Sequence, residues 1–171
     1  MKDQDQEVID DFGKEWSRFT QVGSLSQEES DFIYRGYFQI FPEDFFTSKN
    51  KVGFDMGCGS GRWAKFIAPK VEKLFCVDAS LEAIEVARNN LSSYPSCEFL
   101  CTKAEDFNIP DNSMDFGYSL GVLHHVSNTS ESLKNCVNKL KKGAPFLLYL
   151  YYKFDNRNIV FKLIWHVSDL F

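Results

Sequence analysis

Short apolar runs and amphipathic segments alternate along the chain from residue 52 onward. Five of the runs have the length of buried strands: Val52–Met56, Leu74–Val77, Glu98–Cys101, Met114–Leu120 and Pro145–Tyr152. Segments with a helical spacing of apolar residues separate several of these runs. Such alternation predicts an α/β protein, in which a doubly wound, mostly parallel sheet carries helices on both faces.

Local signals mark where some of the helices begin and end. Ser26 and Glu29 form a capping-box pattern. The apolar residues behind this box fall on one predicted helical face: Phe32, Ile33, Gly36, Tyr37 and Ile40. Asn128 and Glu131 predict the start of another helix, and the Lys-Lys-Gly sequence at 141–143 predicts its end, because basic residues and glycine favour a helix C-terminus.

Composition narrows the class of protein. The chain has 171 residues, of which 44% are hydrophobic and 25% charged, so we expect one globular domain and no extended disordered or low-complexity region. The net charge of −5 disfavours a polyanion such as nucleic acid as the main partner. The longest apolar stretch, residues 144–152, is shorter than the ~20 residues that span a membrane.

Cysteine usage indicates the compartment and the absence of a metal site. The five cysteines contain no CxxC pair, and the N-terminus is acidic where a signal peptide would be basic and then apolar. We therefore expect a cytoplasmic protein with reduced thiols. The three histidines have no partner cysteine at zinc-ligand spacing, so we expect no metal.

The glycine-rich turn after the first predicted strand is the most informative segment, with the sequence Asp55-Met-Gly57-Cys58-Gly59-Ser-Gly61. Ligands of doubly wound sheets bind at the carboxyl ends of the strands, and glycine lets the backbone approach a ligand closely. The GxGxxG dinucleotide pattern requires glycine where Arg62 stands, and no Lys-Ser or Lys-Thr pair follows the turn as a Walker A motif requires. A tight turn that binds no ligand is the alternative interpretation.

A second acidic residue, Asp78, ends the second predicted strand. A carboxylate at this place can accept the hydroxyl groups of a ribose that lies across the strand ends. The alternative is a helix cap or turn residue, although Ser80 can serve as that cap instead. Asp55 and Asp78, one on each strand, together favour a ligand site.

Four segments in order, FDMGCGSGRWA, VDAS, AEDFNIPDNSMDF and SLGVLHHV, resemble the class I S-adenosylmethionine-dependent methyltransferases, specifically the small-molecule type with a type-11 methyltransferase domain. The resemblance covers about residues 52–152. It implies a Rossmann-like fold, a methyltransferase activity, S-adenosylmethionine as cofactor and S-adenosylhomocysteine as product.

The resemblance also implies a set of cofactor-binding residues. By position, the three glycines of the turn underlie the methionine portion, Asp55 fixes the turn, Asp78 binds the ribose and Ala79 borders the adenine. The full set is Asp55, Gly57, Cys58, Gly59, Gly61, Asp78, Ala79, Ala104, Glu105, Leu120 and Gly121. Ala104 and Glu105 resemble the loop that reads the adenine edge, where the family usually has an acid in place of Lys103.

The acceptor side is less defined. His124 and His125 follow the fourth strand, where an acceptor would approach, so either is a candidate base for a hydroxyl acceptor; packing is the alternative role. The Asn/Asp-Pro-Pro-aromatic motif of amino-methylating nucleic-acid enzymes is replaced here by Ser-Leu-Gly-Val-Leu at 119–123. We therefore expect a small-molecule acceptor with an oxygen or carbon nucleophile and no nucleic acid. A binding module without turnover, either regulatory or a truncated enzyme, is the main alternative, and an NAD-binding domain is a third.

Three regions are predicted. Residues 1–50 form an N-terminal helical lid or cap that includes Trp16 and Phe19, residues 51–153 form the cofactor-binding core, and residues 154–171 form a C-terminal helix. The resemblance implies two further strands after the fifth, and their lack predicts a truncated chain. The edge of the fifth strand is then expected to pair with a second copy in a homodimer, unless the tail Ile159–Phe171 folds back over it.

Overall fold

The computed structural model describes residues 26–42 and 44–151 of the chain. These residues form five β-strands, four α-helices and one short 3₁₀ helix. In chain order the elements are α1 (Gln27–Phe38), β1 (Val52–Met56), α2 (Ala64–Ile67), the 3₁₀ helix (Ala68–Lys70), β2 (Lys73–Asp78), α3 (Leu81–Asn90), β3 (Cys97–Cys101), β4 (Phe116–Leu120), α4 (Thr129–Lys139) and β5 (Phe146–Tyr149). Each of the five predicted apolar runs overlaps one strand.

The five strands form one parallel sheet in the order β3-β2-β1-β4-β5. The chain proceeds outward from β1 to β3 and then resumes on the other side of β1 with β4. The switch point of this topology lies between β1 and β4, where doubly wound sheets bind their ligands. The predicted doubly wound α/β fold is confirmed.

Both faces of the sheet are covered. On one face, residues of α1, α2 and α3 pack in a core with the sheet side chains Leu74, Cys76 and Phe116. On the other face, α4 and the connection from β3 to β4 pack against Phe54 and Val77. The central strands are therefore apolar on both faces, as parallel strands between two helical layers require.

Two glycine–phenylalanine pairs lock β1 against β4. In the register of the two strands Gly53 lies opposite Phe116, and Phe54 lies opposite Gly117. A Cβ at Gly53 would stand 2.3 Å from the Phe116 ring, and a Cβ at Gly117 would stand 2.3 Å from the Phe54 ring. Each ring thus occupies the space that a side chain on the opposite strand would need. Both rings are fully buried.

Helix α1 packs through a face that shares only part of the predicted one. Its capping box is present as expected, since Ser26 Oγ accepts from Glu29 N and Glu29 Oε2 accepts from Ser26 N. However, Phe32 is 79% exposed and Ile40 is 64% exposed. The packed face carries Tyr37 of the predicted stripe, together with Tyr34, Phe38 and, beyond the helix, Phe41. This stripe also has helical spacing, and its rings stack on Phe66 and meet Tyr118 and Phe116, partners that local periodicity does not reveal.

Helix α4 ends earlier than predicted. Asn128 caps its start by accepting from Glu131 N, as expected. The helix stops at Lys139, because Leu140 is extended and bridges to Met114 in the segment before β4. Lys141 N then donates to the Met114 carbonyl at 2.8 Å. The glycine at 143, with φ +82°, lies in the following turn rather than at the helix end.

Several predictions fall outside the described residues. These are the lid residues Trp16 and Phe19, the tail helix over Ile159–Phe171 and most of the two terminal regions. Within the described residues, β5 pairs with β4 and is the last strand on that side of the sheet. Pairing of its edge with a second copy stays a prediction. In the described part of the chain no helix combines the length and the hydrophobicity needed to cross a membrane.

The glycine–phenylalanine pairs predict opposite effects for two glycine-to-alanine substitutions. Gly117→Ala should lower the free energy of unfolding by about 1–3 kcal/mol, because the new methyl group meets the immobile Phe54 ring. Gly36→Ala is the matched control: nothing stands within 4 Å of its Cβ position in α1, and alanine should raise the free energy of unfolding by up to about 1 kcal/mol. Urea denaturation measures both. Equal stability of Gly117→Ala and wild type would contradict the packing argument.

Candidate active site

The carboxyl ends of the strands open into a cavity of about 350 Å³. It extends from the segment after β3, across the turns after β2, β1 and β4, to the end of β5. Ten of the residues singled out in the sequence line it: Asp55, Gly57, Cys58, Asp78, Ala79, Ala104, Glu105, Leu120, Gly121 and His125. Of those in the described part of the chain, Gly59, Gly61 and His124 do not line it.

The glycine-rich turn is held by the end of β2. The Val77 carbonyl accepts hydrogen bonds from Gly57 N at 2.7 Å and Cys58 N at 2.9 Å. Gly57 has φ +77°, and a Cβ on it would stand 2.4 Å from Val122 in the turn after β4. Glycine at this position therefore lets the turns after β1 and β4 approach each other beneath the cavity.

Gly61 serves helix packing and not the cavity lining. Its φ is +79°, and a Cβ there would stand 2.6 Å from the Leu91 side chain and 3.6 Å from Ala87. The third glycine of the motif therefore allows α3 and the residue after it to pack against the turn. The resemblance implies that all three glycines underlie the methionine portion of the cofactor; of the three, Gly57 lines the cavity.

Asp78 joins the turns after β1 and β2. Its Oδ2 accepts from Gly59 N at 3.0 Å, and its Oδ1 accepts from Ser80 N at 3.0 Å. Ser80 Oγ caps α3 by accepting from Ala83 N, so Asp78 is not the helix cap. Burial raises the pKa of Asp78, and the backbone N–H donors counter that shift. Asp78 therefore fixes the turn, and the same role for Asp55 stays a prediction.

Asp55 is a buried carboxyl group at the floor of the cavity. It is 2% exposed, and its Oδ2 has no hydrogen-bond partner among the described residues. Burial raises the pKa of Asp55 to about 8; the nearby Tyr118 hydroxyl opposes the shift and Asp78 adds to it. The Tyr118 hydroxyl likewise forms no hydrogen bond of normal geometry with a described group. A buried carboxyl with an unpartnered oxygen at a cavity is suited to a ligand that brings a donor or a cation.

The loop at 104–107 is fixed by a side chain that the sequence analysis did not single out. Asn135 Nδ2, on α4, lies 2.8 Å from the Ala104 carbonyl and 3.1 Å from the carbonyls of Glu105 and Phe107. Ser132 Oγ donates to Glu105 Oε2 at 3.2 Å. Polar residues with helical spacing on the buried side of α4 are the signal that could have identified both. They hold the loop against the cavity.

The two histidines occupy different positions. His125 lines the cavity, whereas the His124 ring packs between His125, at 4.0 Å between centroids, and Tyr151, at 4.7 Å. Both ring nitrogens of His124 are buried and have no hydrogen-bond partner among the described residues. Burial lowers the pKa of both imidazoles, and in His124 the neighbouring His125 lowers it further. Both rings are therefore predominantly neutral at pH 7 and able to accept a proton.

Four aromatic side chains line the end of the cavity next to β5. They form an aromatic wall, defined as Tyr37, Trp63, Tyr149 and Tyr151. Tyr37 makes edge contacts with Trp63 and with Tyr149, each at 5.4 Å, and Tyr149 meets Tyr151 at 5.5 Å. The Arg62 guanidinium lies over the Trp63 ring at 4.5 Å. Tyr37, Tyr149 and Tyr151 were not predicted as site residues, because α1 and β5 meet only in the folded sheet.

Comparisons with known proteins identify a family model and several related proteins. A family model described as a methyltransferase domain matches residues 54–148. The uncharacterized methyltransferase YcgJ of Bacillus subtilis is 30% identical over 100 residues, which are 57% of this chain and 40% of that protein. The tRNA (carboxymethyluridine(34)-5-O)-methyltransferase of Schizosaccharomyces pombe is 28% identical over 103 residues, which are 58% of this chain and 42% of that protein.

Solved structures show the same fold. The YcgJ crystal structure has a TM-score of 0.60 at 24% identity and covers 72% of this chain and 50% of that one. Phosphoethanolamine N-methyltransferase 1 of Haemonchus contortus was solved with phosphoethanolamine and S-adenosylhomocysteine. Its structure has a TM-score of 0.62 at 17% identity, and the match covers 78% of this chain and 30% of that one. The chain thus spans half or less of the length of each of these proteins.

Burial of Asp55 predicts a stability that depends on pH. The folded-state pKa of about 8 lies above the unfolded value of about 4, so the unfolded chain releases this proton first as the pH rises. The contribution of Asp55 is complete below pH 4 and is lost as the pH rises towards 8, with a slope of at most about 1.4 kcal/mol per pH unit. Asp55→Asn should remove this slope.

The measurement is the free energy of unfolding of wild type and Asp55→Asn from pH 5 to pH 8, by urea denaturation. The difference between the two proteins should change in favour of the variant as the pH rises. A difference that stays constant across this range would show that Asp55 ionises normally.

Proposed function

Because the chain belongs to the class I S-adenosylmethionine-dependent methyltransferases, we propose that it binds S-adenosylmethionine in this cavity and transfers the methyl group to a small-molecule acceptor. An oxygen or carbon atom is the proposed nucleophile. S-Adenosylmethionine is the cofactor of the family. The observation that carries the proposal is the cavity that joins Asp78, Asp55 and Gly121 at the ends of three neighbouring strands, β2, β1 and β4.

Two features of the cavity fit this cofactor. Asp55 Oδ2 has no partner among the described residues, and the ammonium group of the cofactor would provide one. Gly121 has φ +77°, and no atom stands within 4 Å of its Cβ position, so a ligand can approach the backbone there. Asp78 and Ala79 would hold the adenosine, with the loop at Ala104 beside it, as the resemblance implies. When bound, the cofactor supplies a methyl group activated by its sulfonium.

The side chains of the site then have to orient the reactants and accept a proton. Alignment of two reactants in a fixed geometry can lower a barrier by about 7–11 kcal/mol, and the aromatic wall would position the acceptor and exclude water. His125 is the proposed base, because it lines the cavity and burial lowers the pKa of its imidazole below the usual value. The proton of a hydroxyl acceptor passes to this neutral imidazole, which becomes imidazolium.

A small-molecule acceptor is favoured over a nucleic acid by charge. The net charge of −5 gives no basis for the phosphate contacts that dominate nucleic-acid affinity. Relatives named as tRNA methyltransferases match this chain over less than two thirds of its length and less than half of theirs. Transfer to tRNA is therefore an outcome that the experiment has to distinguish.

A binding module without turnover is the second candidate function. It requires only the cofactor-binding residues of the cavity, which lie within the match to the family model over residues 54–148. Both candidates require cofactor binding, and they differ in whether the methyl group leaves the cofactor.

Cofactor binding is tested at Asp78. Asp78→Ala should weaken binding of S-adenosylhomocysteine about ten- to hundredfold, because charge-assisted hydrogen bonds to the ribose are lost. It should also lower the melting temperature, since the amides of Gly59 and Ser80 lose their acceptor. Asp106→Ala, on an exposed loop, is the control and should bind normally. Unchanged affinity in Asp78→Ala, measured by calorimetry, would contradict the placement of the site.

Turnover is tested with methyl-labelled cofactor, a panel of phenols, sugars and hydroxy acids, and bulk tRNA. We expect label on a small molecule and a rate that falls as the pH drops below the ordinary imidazole pKa of about 6.5. His125→Ala should slow transfer about a hundredfold or more, and His124→Ala should slow it less, because His124 does not line the cavity. Label on tRNA alone would overturn the small-molecule proposal, and binding without any transfer would favour the second candidate.

A further inference from the structure

The cavity contains two lysine or arginine side chains, and they lie in different parts of it. Lys103 follows β3 and adjoins the loop at Ala104, on the side proposed for the adenine. Arg62 follows the glycine-rich turn, and its guanidinium lies over the Trp63 ring of the aromatic wall, next to β5. If the adenosine lies beside Lys103, then Arg62 is the remaining basic residue of the described cavity lining, and it lies on the side of the amino-acid end of the cofactor.

Arg62 has the chemistry and the position to bind a carboxylate. Its guanidinium carbon lies 4.5 Å from the centroid of the Trp63 ring, at the cavity, and a guanidinium can bind a carboxylate in a two-point contact. It forms no ion pair with any carboxylate of the described residues. Tyr37, whose pKa is raised by burial and lowered by the Arg62 charge, lines the same part of the cavity.

In the proposed orientation of the cofactor, its carboxylate group lies in the part of the cavity near Arg62. If the adenosine lies over Asp78 and Ala79, the amino-acid end extends over Gly57 and Gly121 towards β5. This end carries one ammonium group and one carboxylate group. The unpartnered oxygen of Asp55 suits the ammonium group, and a carboxylate placed beside Asp55 would be repelled whenever Asp55 is ionised.

We propose that Arg62 binds the carboxylate group of the cofactor and thereby makes the site prefer S-adenosylmethionine over a form that lacks this carboxylate. The assignment rests on the proposed function, because it requires S-adenosylmethionine in the cavity. An acceptor carboxylate is the other source of the same chemistry, and the experiment separates the two sources.

The test compares S-adenosylmethionine with decarboxylated S-adenosylmethionine, which keeps the sulfonium and the ammonium group and lacks the carboxylate. Calorimetry gives both affinities for wild type, Arg62→Gln and Arg62→Lys. Wild type should prefer the complete cofactor by about ten- to hundredfold, and Arg62→Gln should bind both compounds with nearly equal affinity. Arg62→Lys should retain part of the preference, because it keeps the charge but loses the two-point contact. Lys65→Gln is the control on α2 and should behave as wild type.

The outcomes separate the assignment from the proposed function. A preference that survives in Arg62→Gln would overturn the assignment and leave an acceptor carboxylate as the partner of Arg62. Equal weakening of both compounds would also overturn it, because Arg62 would then only shape the cavity. Failure of wild type to bind S-adenosylmethionine would overturn the proposed function and the assignment with it.

Discussion

Three successive backbone amides after β1 donate to the end of β2, and the site depends on this contact. Val77 accepts from Gly57 and Cys58 through its carbonyl, and Asp78 accepts from Gly59 through its carboxylate. The chain can reverse here only because the glycines adopt positive φ angles. This reversal leads the backbone into α2 and leaves the cavity open above the ends of β1 and β4. Asp78 therefore shapes the turn and also presents a charge to the cavity.

Much of the fold could be predicted from the sequence, because parallel strands between helices leave a periodic signal. Short-range features, such as the caps at Ser26, Ser80 and Asn128, followed from spacing of a few residues. The packed face of α1 and the end of α4 did not, since ring partners and the bridge to Met114 decide them. The aromatic wall and Asn135 were missed for the same reason: their partners are distant in sequence. The cytoplasmic location, the homodimer and the roles of the terminal regions stay predictions.

The polar groups of the cavity form an uneven distribution of charge. Asp55 is largely neutral near pH 7 because burial raises its pKa, so the floor of the cavity can change charge when a cation arrives. Asp78 is fixed by amides and lies closer to solvent. Next to β5 the lining is aromatic, with one guanidinium. The lining of the cavity therefore changes from carboxyl groups at the ends of β1 and β2 to aromatic rings next to β5.

The glycine–phenylalanine pairs between β1 and β4 have a consequence for folding. The two strands are neighbours in the sheet although β2 and β3 lie between them in the sequence, so their pairing closes a long loop. Only one alignment lets both rings enter the gaps opposite them, since a shift by one residue would send each ring to the wrong face of the sheet. A misaligned β4 would leave the rings outside the gaps opposite the glycines, and the pairs therefore disfavour wrong alignments of these two strands. The native pairing of β1 with β4 also brings the turns after these two strands together. The cavity can therefore form only when the two strands are correctly aligned.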